Sequence, residues 1–175
     1  RVAGAPNATL RQELEATMRE FYVKSGSFIL KAQPMDLLAG VDTYQIPVQP
    51  DGNVLYIYGV LIDDRFVRFT GTETPAEFIL RDTPSQDKVG AMVPVVALKP
   101  LQYDTVPEYT ETYDFDTILD GAAGRLFNMP DKPWTNPNQA RTSLQRFRVG
   151  MGQARVRTRN SYTKNNTQTR FPPWA

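Results

Sequence analysis

Residues 114–128, DFDTILDGAAGRLFN, decide the fold, because helical periodicity returns in them after a long strand-like region. The apolar stripe of this segment is Phe115, Ile118, Leu119, Ala122, Leu126 and Phe127, the spacing of one helix face. Asp114 is the expected N-cap, and Asp116 suits the positive end of the helix dipole. Gly121 and Gly124 weaken the helix and favour close packing against another helix. Pro130 ends it.

A first helix is predicted at residues 9–25. Its apolar stripe is Leu10, Leu14, Met18, Phe21 and Tyr22, again one helix face. Thr9 followed by Gln12 has the form of a capping box, and Asn7 is a competing cap. Gly26 is the residue expected just past the helix end.

A last helix is predicted at residues 137–159. Asn136 is its expected cap and Pro137 its first helical residue. The apolar stripe is Leu144, Phe147, Met151 and Ala154. Gly150 and Gly152 lie inside, each costing about 1 kcal/mol relative to Ala, which predicts a kink or a closely packed partner.

The middle of the chain reads as β-structure. Short apolar or alternating runs are separated by Gly, Pro and Asp at residues 28–30, 43–48, 54–62, 65–69, 77–81 and 91–98. This pattern predicts an antiparallel β-sandwich or small barrel. Pro94 has no N–H for a strand ladder, so its run is expected at an edge or a bulge.

The predicted fold class is therefore α+β. Residues 1–27 and 106–159 form a helical domain, in which the first helix packs with the two C-terminal helices because each alone has an unburied apolar face. Residues 28–105 form an inserted β domain. Residues 160–175 are polar with an aromatic end, and they are expected to form an extended C-terminal arm that orders on a partner.

Composition excludes several kinds of site. The 175 residues contain no Cys and no His, so thiolate metal sites, imidazole ligands and Ser-His-Asp catalysis are excluded. We expect no enzymatic activity, no cofactor and no metal. No apolar run is long enough to span a membrane. Residues 1–6 lack the apolar core of a signal peptide, and residues upstream are expected because no initiator Met is present.

Charge is distributed unevenly along the chain. The net charge is +1, but residues 1–131 carry 11 basic and 19 acidic side chains, whereas residues 132–175 carry nine basic and none acidic. A basic end on an acidic body predicts a polyanionic partner, either nucleic acid or an acidic protein surface. A basic helix folded onto the chain's own acidic body or onto another copy is the alternative.

The basic residues therefore have three interpretations. Channel lining beside DNA phosphates would use Arg141, Arg146, Arg148 and Arg155. Docking onto an acidic protein, the favoured hypothesis, would use Arg155, Arg157, Arg159, Tyr162, Lys164, Arg170, Phe171 and Trp174. A solvated helix face is the third. Alternate Arg at 155, 157 and 159 share no helical face, which predicts fraying there. Phe171 and Trp174 suit interface anchors better than base stacking.

Four segments carry a resemblance to a known family. They are residues 4–14 continuing into 19–21, residues 38–44, residues 118–130 and, most tellingly, residues 131–137, DKPWTNP. In this order and over nearly the whole chain, they resemble the head-to-tail adaptor proteins of tailed bacteriophages, especially the ring-forming adaptors of short-tailed phages.

The resemblance implies a structural virion protein located at the head–tail interface and assembled in the bacterial host cytoplasm. Its partners would be the portal protein, a tail nozzle or tail tube protein, other copies in a ring of twelve, and genomic DNA passing through the channel; no membrane is implied. Two rival classes remain open: a nucleic-acid-binding module built on residues 137–164, and a carboxylate-based glycan hydrolase.

Overall fold

A computed structural model describes residue 2, residues 4–101, residues 110 and 112, and residues 114–163 of the chain. The fold is α+β, as the sequence predicts. The described residues divide into two compact units. One contains residues up to 28 and residues 99–157, and the other contains residues 29–98 and those from Thr158 onward.

Three long helices lie in the described ranges: α1 (Asn7–Ser25), α2 (Phe115–Phe127) and α3 (Pro137–Thr163). Helix α1 begins two residues before the predicted start. Its N-cap is Pro6, which has no side chain to cap with, so neither Thr9 nor Asn7 caps it. The expected end is confirmed, since Gly26 adopts the left-handed conformation at φ 63° and donates its N–H to the Tyr22 carbonyl.

The expected cap of α3 is also confirmed. The Gln139 N–H donates to Asn136 Oδ1 at 3.1 Å, and Pro137 is the first helical residue. The expected end at residue 159 is wrong, because residues 160–163 continue the helix. Residues 160–163 contain no Gly or Pro that would end the helix. Ala154 and Thr158, in the turns before them, are buried. The arm therefore does not begin at residue 160, and residues 164–175 lie outside the described range.

The helices share one apolar core. Its buried members come from all three: Met18, Phe21, Tyr22, Ile118, Phe147 and Ala154. The ring centroids of Phe21 and Phe147 are 6.5 Å apart. This packing confirms the predicted association of the first helix with the two C-terminal ones.

Glycines bring α2 and α3 into close contact. A β-carbon added at Gly121 would lie 2.5 Å from Thr17 Cγ2 and 2.7 Å from Phe147 Cδ2. One at Gly124 would lie 2.7 Å from Leu144 Cγ, and one at Gly150 would collide with the Thr117 side chain. From Thr117 to Gly124 the contacting positions move toward the C-terminal end of α2, while their partners on α3 move back from Gly150 to Leu144. The two helices are therefore antiparallel. Around Gly152, by contrast, no atom lies within 4 Å of an added β-carbon.

The buried side of α2 differs from the predicted stripe. Ile118, Ala122 and Leu126 are buried as expected, but Phe115 is 49% exposed and Leu119 is 42% exposed. At 100° per residue, the buried arc is turned toward Gly121 and Gly124. The small glycines, rather than the largest apolar side chains, occupy the helix contact.

The inserted β-structure has eight strands among the described residues: β1 (Ile29–Lys31), β2 (Met35–Leu37), β3 (Thr43–Gln45), β4 (Gly52–Ile62), β5 (Arg65–Val67), β6 (Phe69–Gly71), β7 (Glu77–Leu80) and β8 (Lys88–Pro100). One sheet has the order β1-β8-β4-β5, with β2 also paired to β8, and the other has the order β3-β7-β6. Every pairing with a defined register is antiparallel. The predicted run 65–69 divides between the two sheets, and β2 was not predicted.

Pro94 lies inside a central strand, so the edge expectation is wrong. Strand β8 has β1 and β2 on one side and β4 on the other. The Pro94 carbonyl accepts the Ala32 N–H at 2.8 Å. Because the nitrogen and the carbonyl of one residue point to the same neighbouring strand in an antiparallel pair, the proline nitrogen, which has no hydrogen to donate, also faces the gap between β1 and β2. Lys31 pairs with Val95 and Met35 with Met92, which shifts the ladder by one residue. The proline therefore sits beside a bulge, the other expected position.

Tyr44 organises the segment 38–44 that contributes to the resemblance. Its ring is buried and stacks on Phe78 with centroids 5.8 Å apart. Its hydroxyl accepts the Leu38 N–H at 3.1 Å and donates to the Val41 carbonyl at 3.0 Å. One side chain thereby closes the loop between β2 and β3.

The helix contact predicts opposite effects for two glycines of α3. Gly150→Ala should lower the free energy of unfolding by about 1–3 kcal/mol, the range for overpacking. Gly152→Ala, the matched control, should raise it by up to about 1 kcal/mol, because Ala favours the helix. Urea titration followed by far-ultraviolet circular dichroism measures both. Equal effects of the two variants would contradict the close contact.

Candidate interface on the basic helix

Helix α3 carries a line of exposed arginines. Arg141, Arg148 and Arg155 are all exposed and stand seven residues apart. Seven residues rotate an α-helix to within about 20° of the starting direction and advance it by about 10.5 Å. The three guanidinium groups therefore form one row along the helix.

An apolar strip lies next to this row. Val149 is 55% exposed and Val156 is 58% exposed, and they too are seven residues apart. Gly152 lies between them with open space around it, so another backbone can approach closely there. Val149, Gly152 and Val156 are spaced three and four residues apart, and Thr142 and Gln145 extend this alternation toward the start of the helix. Alternating spacings of three and four residues are typical of a helix-packing seam. We call Val149, Gly152 and Val156 the valine strip.

Arg146 lies on the other side of the valine strip, at about 140° from Arg141 around the helix. The strip is thus flanked by cationic side chains on both sides. The structure therefore divides the four channel candidates. Arg141, Arg148 and Arg155 share one row, although Arg155 was also a docking candidate, and Arg146 stands apart.

Arg157, predicted to dock on a partner, is engaged within its own unit. Its guanidinium donates to Asp114 Oδ1, joining the start of α2 to the end of α3. Asp114 is 2% exposed, and its other oxygen, Oδ2, has no hydrogen-bond partner among the described residues. Burial raises the pKa of the Asp114 carboxyl above its usual range, and the Arg157 hydrogen bond and charge offset this only in part. Asp114 precedes α2 as expected, but its side chain pairs with Arg157 and makes no capping bond.

A second ion-pair group joins α1 to α2. Arg125 Nη2 donates to Glu20 Oε2 at 2.6 Å, and Nη1 of the same side chain lies 3.8 Å from Glu13 Oε2. Lys24 also reaches Glu20 at 2.5 Å. Burial raises the pKa of Glu20, but the hydrogen bonds and charges of Lys24 and Arg125 outweigh it and hold that pKa below its ordinary value.

The remaining predicted residues are near or beyond the end of the described chain. Arg159 is exposed on α3, and Tyr162 lies in the last turn of that helix, where only the backbone is described. Lys164, Arg170, Phe171 and Trp174 lie outside the described residues. The expectation of fraying near residue 155 is wrong, because α3 is continuous to Thr163.

Within the described ranges, no three His, Cys, Asp or Glu side chains are grouped so as to hold a metal ion. None of the helices described is both long and apolar enough to cross a bilayer. The β unit has a cavity of about 460 Å³ between strands and loops, lined by Leu37, Ile62, Arg68, Leu80 and Asp82 among others. Its lining combines two cationic side chains, Arg68 and Lys88, and one carboxylate, Asp82, with apolar residues.

The sequence matches no protein-family model and no curated protein.

Sequence reasoning missed the valine strip and the Asp114–Arg157 pair. The sequence contains a signal for the strip, since Val149 and Val156 repeat the seven-residue spacing of the arginine row. It contains no local signal for the Asp114–Arg157 pair, because 43 residues separate the two members.

The two carboxyl groups predict opposite pH dependences. Asp114 has a raised pKa in the folded state, so its contribution to stability falls as pH rises from about 3.9 through that raised value. Asp114→Asn should therefore gain stability relative to the natural chain over this window. Glu20 has a lowered pKa, so its contribution is present above about pH 4.3 and is lost as pH falls through the lowered value. Glu20→Gln should lose stability relative to the natural chain as pH rises.

Urea unfolding of both variants and the natural chain between about pH 3 and 7 measures these differences. Each variant is the control for the other, because both replace a carboxyl by an amide of similar shape. Differences that change with pH in the same direction for both variants would contradict the assignment.

Proposed function

We propose that the protein is a structural head-to-tail adaptor of a tailed bacteriophage, which forms a ring between the portal and the tail nozzle or tube and extends the DNA channel after packaging. The observation that carries the proposal is the exposed face of α3, where a valine strip is flanked by arginines. Apolar contact surrounded by Arg is typical of protein interfaces. The partner that fits this face has an acidic surface with an apolar centre.

The valine strip favours a protein partner over DNA. Contacts to phosphates need cations and hydrogen-bond donors, and two half-exposed valines supply neither. Burying them against a protein removes apolar surface from water, at roughly 25 cal/mol per Å². The proposed role is therefore docking, with no chemical step and no bound cofactor.

The alternative function is a nucleic-acid-binding module, and one observation favours it. The row formed by Arg141, Arg148 and Arg155 spans about 21 Å of helix, enough to contact several phosphates of a duplex. Such contacts would hold the backbone without reading bases.

Native mass spectrometry with the portal ring encoded by the same genome tests the adaptor role. The full-length chain should saturate the ring in stoichiometric copies. Val149→Ser with Val156→Ser should bind fewer copies, because the apolar contact is lost. Val89→Ser in the β unit is the matched control, since Val89 is 91% exposed, and it should bind like the natural chain. A chain ending at Thr163 measures what residues 164–175 contribute. Failure of the full-length chain to bind would overturn the proposal.

Titration of duplex DNA at several salt concentrations tests the alternative. As a nucleic-acid module the chain would bind strongly, with the logarithm of affinity falling by about 0.9 per phosphate contact against the logarithm of salt. Arg148→Gln would lower that slope by about one unit, whereas the paired serine variant would leave it unchanged. We expect the single chain to bind DNA weakly. Strong, salt-sensitive binding without portal binding would select the nucleic-acid module.

A further inference from the structure

Helix α2 presents an exposed face with the opposite charge to that of α3. Phe115 and Leu119 are 49% and 42% exposed, and they stand four residues apart. Beside them, Asp116 is exposed and Asp120 is partly exposed, again four residues apart, so each pair lies on neighbouring turns. We call these four residues the acidic face of α2.

The two faces are complementary in both charge and polarity. The acidic face of α2 has two large apolar side chains next to two carboxylates. The outer face of α3 has the valine strip next to Arg141, Arg148 and Arg155. Within one copy the two faces do not cover each other, since the apolar side chains of both remain about half exposed.

We propose that the acidic face of α2 in one copy docks on the valine strip and arginine row of α3 in a second copy of this chain. The inference rests on the proposed function, because it identifies the contact between neighbouring subunits of the ring. The contact joins different surfaces of the two copies. Such a head-to-tail contact repeats from copy to copy and closes into a ring when the rotation between copies allows it.

The charge distribution favours another copy as the occupant. The chain has a net charge of only +1, while its first 131 residues carry an excess of acidic groups and the rest only basic groups. Copies of such a chain attract through their unlike ends without strong overall repulsion. Complementary charge of this kind sets orientation and raises the association rate.

Cysteine cross-linking tests the contact directly, because the chain has no Cys of its own. Leu119→Cys and Val156→Cys are prepared as separate full-length proteins and mixed under mild oxidation. The mixed pair should link about tenfold faster than either variant alone, within the gain that complementary charge gives to association. The preference should weaken in about 1 M salt, where screening reduces the Debye length to about 3 Å.

Val23→Cys provides the matched control. Val23 lies on α1 and is 38% exposed, close to the exposure of Leu119, so it reports random collision. The mixture of Val23→Cys with Val156→Cys should link no faster than single variants. Equal rates for all mixtures, faster linkage of like variants, or no linkage in any mixture would overturn the inference.

Charge exchange provides a second measurement that does not depend on one contact position. In the Leu119→Cys protein, Asp116→Arg with Asp120→Arg should abolish preferential linkage to Val156→Cys. Adding Arg148→Asp with Arg155→Asp to the Val156→Cys partner should restore it. Loss without restoration would overturn the inference.

The same variants separate this contact from the proposed function. If the natural chain fills the portal ring and the cross-linking preference is absent, the adaptor role stands and the subunit contact is wrong. If the preference is present but the portal is not bound, the contact between copies stands and the adaptor role fails.

Discussion

The close contact between α2 and α3 is the constraint on which the helical unit depends. Gly121 and Gly124 on one helix and Gly150 on the other leave room for side chains of the facing elements. An added methyl group at any of them would meet atoms already in van der Waals contact, and close-packed interiors do not yield without strain. Because glycine is a poor helix former, these residues weaken the separate helices and stabilise their association. The apolar core around Phe147 then forms at the same contact and holds α1 against both helices.

The outer surface follows from the same constraint. Since the glycine side of α2 faces the core, Phe115 and Leu119 come to lie about half in solvent. On α3, Phe147 and Ala154 are buried in the core, so Val149 and Val156 lie on the exposed side of the helix. Part of the basic charge is already paired, because Arg157 is held by the Asp114 carboxylate of its own unit. The basic excess of the C-terminal part is therefore only partly available to a partner, and three of the exposed arginines, Arg141, Arg148 and Arg155, align in one row.

Periodicity predicted the element types well because helix and strand patterns depend on neighbouring residues. The three helices, the inserted β-structure and the cap at Asn136 all follow from local signals. The errors concern interactions that neighbours do not determine. Pro94 lies in a central strand, opposite Ala32 and beside a one-residue shift between the β1 and β2 pairings. Asp114 pairs with Arg157 from a distant helix and makes no capping bond to its own. The valine strip was overlooked because two valines at a spacing of seven are sparse beside six arginines on the same helix.

The proposed surfaces are also suited to assembly on a template. Fully burying one large aliphatic or aromatic side chain contributes about 1.5–3 kcal/mol, so the remaining exposed half of each of the four apolar residues contributes about 1 kcal/mol. The total of about 4 kcal/mol only reaches the lower end of the 4–15 kcal/mol that association costs in lost freedom of motion. Charge complementarity orients the copies but adds little net affinity in water. Free copies would therefore remain separate, whereas copies docked side by side on a portal ring meet at a high effective concentration. The weakness of one contact then becomes the reason that a ring forms only where the portal has placed its subunits.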